Sequence, residues 1–329
     1  MLRPRLAACA LLALAAFPVA PPAEAQSRRD TGFDLVRLEP SARASALAGA
    51  GGALSGDDPL TALYNPALLD ADADRRLSVG YINHLSDVSA GAATYARDLP
   101  RLGVTAAATV RFLSYGDFER VDADGAEDGT FGAGEAAVTL SAAKELVPRV
   151  RGGVNVHALF ASIDDAGAQA LSADAGVTYR VESQGLVLGA SVHHVGAVLS
   201  SLGETADRLP LDVRLTASKR LRYVPFTVTA QGFDLQDLGD RSEAADSSSI
   251  RNALDHFAVG GELQLGRALA VRGGYNARRA DALRSGDRLD LAGISMGFGL
   301  DLKRVALDYA YNGWSQYGGL HQFGLRTRL

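Results

Sequence analysis

The residue groupings that could do chemistry are few, and each fits a structural reading better than a catalytic one. Ser141-Ala142-Ala143-Lys144 has the Ser-x-x-Lys spacing of penicillin-binding proteins, where a lysine one helical turn away serves a serine nucleophile. That chemistry needs a helix start. Here the string closes an alternating run with Ala136, Val138, Leu140 and Ala142 on one face, and no Lys-Thr-Gly partner follows. Gly49-Ala50-Gly51-Gly52 lacks both the Gly-x-Gly-x-x-Gly spacing and a Gly-Lys-Ser/Thr ending, so it is assigned to tight backbone packing rather than phosphate binding. Histidines 84, 157, 193, 194, 256 and 321 show no three- or four-residue helical spacing, and adjacent His193 and His194 should point to opposite faces of a strand, unable to share a metal. Asp117, Glu119, Asp122, Asp124, Glu127 and Asp128 could bind calcium but lack the EF-hand spacing and read as a solvated external loop. The expectation is a noncatalytic chain without cofactor or metal.

The elements that hold these residues follow from composition and periodicity. The chain has 329 residues, of which 33 are basic and 38 acidic, for a net charge of −5, which does not suit a nucleic-acid surface. Arg3 and Arg5 precede an apolar run from Leu6 to Val19 and the small-x-small site Ala23-Glu24-Ala25, so residues 1–25 read as a cleavable signal peptide. Leu6-Ala7-Ala8-Cys9 has the look of a lipoprotein cleavage box, yet most of the apolar run follows the cysteine instead of preceding it. Cys9 is the only cysteine, so a mature chain starting at Gln26 has neither disulfides nor thiol catalysis. After the leader no run approaches the roughly 18 apolar residues of a spanning helix.

From about residue 73 onward the chain alternates with period two. Ala292, Ile294, Met296, Phe298, Leu300 and Leu302 fall on one face, with Gly293, Ser295, Gly297, Gly299 and Asp301 on the other. Such segments centre near residues 79, 94, 108, 138, 156, 176, 190, 215, 230, 260, 273, 296, 308 and 325, each about ten residues long. Short turns (99–101, 146–149, 182–184, 221–224, 266–267 and 303–304) alternate with longer polar loops (115–131, 197–209, 235–253 and 279–287). A soluble β-sandwich shares the alternating strands, but not the even strand number or the strict short-long alternation. These predict an all-β transmembrane barrel of about 14 antiparallel strands in an outer membrane, with a polar face suited to a hydrated lumen: Arg111, Asn155, Asp174, Arg214, Arg272 and Asp308.

So wide a barrel cannot be filled by its own side chains. Residues 26–72, rich in Ala, Gly and Asp and without alternation, are expected to plug the lumen, the alternative being a mobile periplasmic tail; residues 73–329 form the barrel. Arg43 is expected to pair with an acidic wall residue such as Asp174 or Asp308.

Leu38-Glu39-Pro40-Ser41-Ala42-Arg43, Ala46 to Ala50, Asp57-Asp58 and Tyr64-Asn65-Pro66-Ala67-Leu68-Leu69 resemble the opening signature of the PorV/PorQ family. The Asn-Pro-Ala piece also occurs in FadL-like channels and marks only the wider superfamily. Tyr95-Ala96-Arg97-Asp98, Tyr115-Gly116-Asp117-Phe118, Ala217-Ser218-Lys219-Arg220-Leu221 and Arg272-Gly273-Gly274-Tyr275-Asn276 look like the PorQ branch. The resemblance covers essentially the whole mature chain and singles out Pro40, Ser41, Ala42, Arg43, Asp57, Asn65 and Pro66 as signature residues. It implies an outer-membrane component of type IX protein secretion, a scaffold for the surface-attachment complex beside PorZ-, PorU- and PorV-like partners and membrane lipid. The chain departs from the usual barrel ending by finishing on Leu329 instead of an aromatic residue, although Phe323, Leu325 and Leu329 share a face. The alternative is a FadL-like channel for small hydrophobic solutes. A soluble exported β-rich enzyme is a weaker reading.

Overall fold

A computed structural model describes residues 33–83, 88–121, 127–203, 208–238, 253–283, 291–315 and 318–329. The signal-peptide reading, His84, Asp122 and Asp124 fall outside the described residues. Period-two alternation is realised as fourteen antiparallel strands. They are β1 (Arg76–Asn83), β2 (Ser89–Leu99), β3 (Val104–Val121), β4 (Glu127–Val147), β5 (Val150–Ile163), β6 (Ala166–Val181) and β7 (Leu186–Ser200), followed by β8 (Asp212–Arg220), β9 (Phe226–Gly232), β10 (Phe257–Leu265), β11 (Leu269–Asn276), β12 (Ile294–Asp301), β13 (Val305–Ser315) and β14 (Gly318–Arg328). Each pairs with its sequence neighbours, and β1 closes on β14 from Arg76↔Arg328 to Asn83↔His321. Closure removes the exposed edges of an open sheet.

All fourteen segment centres fall within these strands. On β12, Met296 and Phe298 are 46% and 48% exposed on the outward face while Ser295, just before them, is 1% exposed on the inward face. The outward surface is the apolar band expected against a bilayer, with Val110 and Phe112 on β3, Val154, Val156 and Phe160 on β5, and Phe323 and Leu325 on β14. In-register pairing lines up Phe298, Tyr309, Phe323 and Tyr81 across β12, β13, β14 and β1, and Tyr309 lies 5.4 Å from the rings of both Phe298 and Phe323.

The short turns gather at the end of the barrel that carries Arg76 and Leu329. Tight hairpins in twisted sheets favour a left-handed residue, and Gly103, Arg149, Gly185, Gly266 and Lys303 supply one in five of these turns. At the other end the sequence reading needs correction in three respects. Tyr115 to Phe131 is not one loop: β3 continues to Val121 and β4 begins at Glu127, held by the pairing Phe118↔Phe131, whose rings stack at 5.4 Å. Asp117 and Glu119 therefore stand on a strand. The strict short-long alternation fails at Asp164-Asp165, a tight turn between β5 and β6. Strand length is also far from uniform: β3 has 18 residues and β4 has 21, against 8 for β1 and 7 for β9. About 9–11 residues suffice to span a membrane, so the wall from β3 to β7 rises above the rest of the ring.

Val156 lies mid-strand on the outward face, between Val154 and Phe160. Val156→Arg should cost about 2–4 kcal/mol if it sits near the bilayer midplane, whereas Tyr223→Arg, in a turn and 90% exposed, should be near neutral. The folded fraction in lipid vesicles, read by heat-modifiable gel mobility, measures the difference.

Candidate functional site

The distinctive chemistry lies inside the ring of strands, where residues 33–74 pack against inward-facing side chains. This segment has little regular structure. A single turn of helix, α1 (Ala42–Ala46), is followed by 3-10 turns at Pro59–Leu63, Pro66–Leu68 and Ala71–Ala73. Short polar residues start each turn by capping it. Ser41 accepts from the Ala44 amide, Asp58 from Leu60, Asn65 from Ala67 and Asp70 from Asp72. Ser41 Oγ also donates to Asp58 Oδ2 at 3.0 Å, tying two turns together.

Irregular backbone at membrane depth needs partners for its amides and carbonyls, and the barrel wall provides them. Asn155 donates to the Ala62 carbonyl (2.9 Å), Arg151 to Leu69 (2.8 Å), Ser218 to Ala53 (2.8 Å) and Thr229 to Ala50 (3.0 Å). Gln231 accepts from the Gly52 amide, and the Glu135 carboxylate accepts from the amides of Asp34 and Leu35. The lumen face expected to be hydrated is thus occupied by peptide groups and ion pairs.

The seven signature residues all lie on this segment. Arg43 meets neither Asp174 nor Asp308 as its direct partner. It donates from Nε and Nη2 to Glu262 at 2.9 and 2.8 Å, and from Nη1 to the Ser55 carbonyl. Burial disfavours the Arg43 cation, but Glu262 more than offsets that and holds its pKa above the ordinary value. The ionic chain then runs from Glu262 to Arg272 (2.8 Å) and Asp308 (2.5 Å). Asp57 binds Arg76 (2.6 Å) and Arg326 (2.9 Å), fastening the segment across the β1–β14 closure. Asn65, fully buried, donates to the carbonyls of Gly52 and Val177. Ala42 packs against Ala310. Pro40 and Pro66 press on the wall where it has no side chain: a Cβ on Gly80 would lie 2.1 Å from the Pro40 oxygen, and one on Gly153 2.4 Å from the Pro66 carbonyl carbon.

Sequence reasoning missed Glu262, Asn155 as a segment ligand, and Gln231. The signal was available, since these are polar residues on the small-residue face of otherwise apolar strands. The histidine reading also needs correction. A bulge in β7 sets His193 and His194 together opposite Asp174, with His194 in the left-handed region at φ 59°. Both rings therefore turn inward. Asp174 accepts from Asn155 and the His194 amide and contacts His157 Nε2 at 2.8 Å and His193 Nδ1 at 3.3 Å. Among the described residues there is no cluster of three or more His, Cys, Asp or Glu arranged to hold a metal. Ser141 is buried on the inward face and Lys144 is exposed, which separates the Ser-x-x-Lys pair. Gly49 adopts φ 86°, and Gly51 and Gly52 lie against Tyr64 and Thr216.

No family model and no curated protein matches this sequence. Among solved structures, the toluene transporter TodX of Pseudomonas putida is 13% identical, with a TM-score of 0.57 over 88% of this chain and 96% of that one. The monoaromatic hydrocarbon channel CymD is 12% identical, with a TM-score of 0.54 over 90% of this chain and 97% of that one. Identity is low and the likeness is one of fold. The chain is a closed fourteen-stranded antiparallel barrel that shares its fold with these two transport proteins.

Arg43→Ala should lower stability by roughly 3 kcal/mol, somewhat softened because Glu262 keeps Arg272. Arg43→Lys should recover less than half, for a lysine cannot reproduce the two-pronged contact. Gly153→Val should unseat the Pro66 turn without touching any charge. Protease cleavage within residues 33–74 of the detergent-solubilised barrel reports both effects.

Proposed function

We propose that the protein is a noncatalytic outer-membrane barrel closed by its N-terminal plug, acting as a scaffold or anchor for the surface-attachment complex of type IX secretion, with PorZ-, PorU- and PorV-like partners. The observation that carries this reading is the bonding of the plug: its carbonyls, amides and charges are matched to wall residues around the ring, from Asp57–Arg326 to Arg43–Glu262 and Arg180–Asp70. A platform benefits from such rigidity, and nothing has to pass through it. The tall wall from β3 to β7 adds a raised surface with exposed Phe118, Val121 and Leu199, suited to holding a partner outside the membrane. The assignment to type IX secretion rests on the resemblance of the signature segments to the PorV/PorQ family, to which the comparisons lend no support.

A second reading, favoured by the comparisons, is a channel for small hydrophobic solutes, because TodX and CymD share the fold. Such a channel needs an apolar binding cleft; here the apolar wall patch around Leu113 and Leu159 is filled by the segment's own Phe33, Leu35 and Val36, and ion pairs and hydrogen bonds such as Arg43–Glu262 and Arg180–Asp70 hold the segment elsewhere. It also needs a movable obstruction.

The two readings separate in a deletion strain and in liposomes. The scaffold reading expects surface-attached secreted proteins to appear in the medium, growth on hydrocarbons and fatty acids to continue, and the purified barrel to show negligible conductance. Normal secretion with lost growth on a hydrophobic carbon source would replace it with the channel.

A further inference from the structure

A small cavity of about 20 Å³ lies between the N-terminal segment and the wall, lined in part by Arg37, Glu39, Tyr64, Arg111, His194 and Arg214. A space of this size holds one water-sized body. Arg111, an inward residue of β3 that is 5% exposed, lines it, and its Nε and Nη2 are fully buried without a hydrogen-bond partner from the protein. A guanidinium stays charged at any physiological pH, and leaving two of its donors unmatched in a buried position is costly.

The carboxylate nearest in electrostatic effect, Asp174, does not satisfy them. Its Oδ2 is engaged by Asn155 and His157 and its Oδ1 by the His194 amide. Glu39, the carboxylate on the cavity lining, is held by Arg279 at 2.7 Å. His194 Nδ1 sits against the Pro210 carbonyl at 3.0 Å, so that nitrogen serves as a donor. Arg214 brings a second guanidinium to the lining, paired with Asp212. The cavity therefore has surplus positive charge, two free donors from one rigid planar group, and room for one monatomic ion.

We infer that this cavity is a structural binding site for a small inorganic anion of chloride size, held by Arg111 Nε and Nη2 and locking the 36–40 stretch and Tyr64 against β3. This site is independent of whether the barrel anchors partners or conducts solutes.

The test uses the full-length barrel in detergent. Raising chloride from 10 mM to 1 M should raise the midpoint of heat-modifiable unfolding by about 3–5 °C, growing with the logarithm of chloride concentration, while gluconate at equal ionic strength should not. Arg111→Met should lose the chloride dependence. Because that variant can fail to fold, the wild-type protein crystallised in sodium bromide gives a second measurement. An anomalous peak within hydrogen-bond reach of Arg111 Nε and Nη2 supports the site. A water there without anomalous signal, or equal stabilisation by chloride and gluconate, overturns it.

Discussion

A chain segment with almost no helix or sheet of its own sits where bulk water cannot serve its peptide groups, and that constraint governs the interior. The barrel answers it with side chains. Asn155, Arg151, Ser218, Thr229, Gln231 and Glu135 are spread over four strands, yet each ends on a backbone group of residues 33–74. Apolar residues face outward in a continuous band, while inside, hydrogen bonds and ion pairs fix the segment between apolar clusters such as that of Phe33, Leu35 and Val36 with Leu113 and Leu159. The cost of burying charge is met by pairing: Arg43 with Glu262, Arg272 with Asp308, and Asp57 with two arginines.

The capping residues show why so few local interactions suffice. Ser41, Asp58, Asn65 and Asp70 each satisfy an amide that a longer helix would leave open at its start, and two of the turns begin with proline at a position where no amide is needed. The two proline-led turns also lean on the wall, where the Ala62 and Ala67 carbonyls accept from Asn155 and Thr178. Inward glycines matter for the same reason. At Gly80 and Gly153 the segment's backbone comes so near that any side chain on the wall would occupy its place.

How much of this the sequence discloses depends on the range of the interaction. Strand positions follow from period two, a property of neighbours, and all fourteen centres fall inside strands. Features that need a partner from far away are harder to read. Arg43 lies 219 residues from Glu262, and the small-residue face marks Glu262 as an inward acid without naming Arg43 as its partner. The inward turn of both His193 and His194 depends on one extra residue opposite Asp174, which breaks the alternation that a face assignment assumes. The length of β3 and β4 was hidden for a different reason: above the membrane both faces of a strand are polar or mixed, and Tyr115 to Phe131 then looks like loop although the ladder continues.

The fastening of Asp57 to Arg76 on the first strand and Arg326 on the last carries a consequence for biogenesis. The segment that carries Asp57 is synthesised before any of the fourteen strands, while Arg326 belongs to the last of them. The closing seam between β1 and β14 therefore forms around a contact whose two halves are made with thirteen strands between them, and the nascent sheet must curl about the segment that precedes it before it shuts.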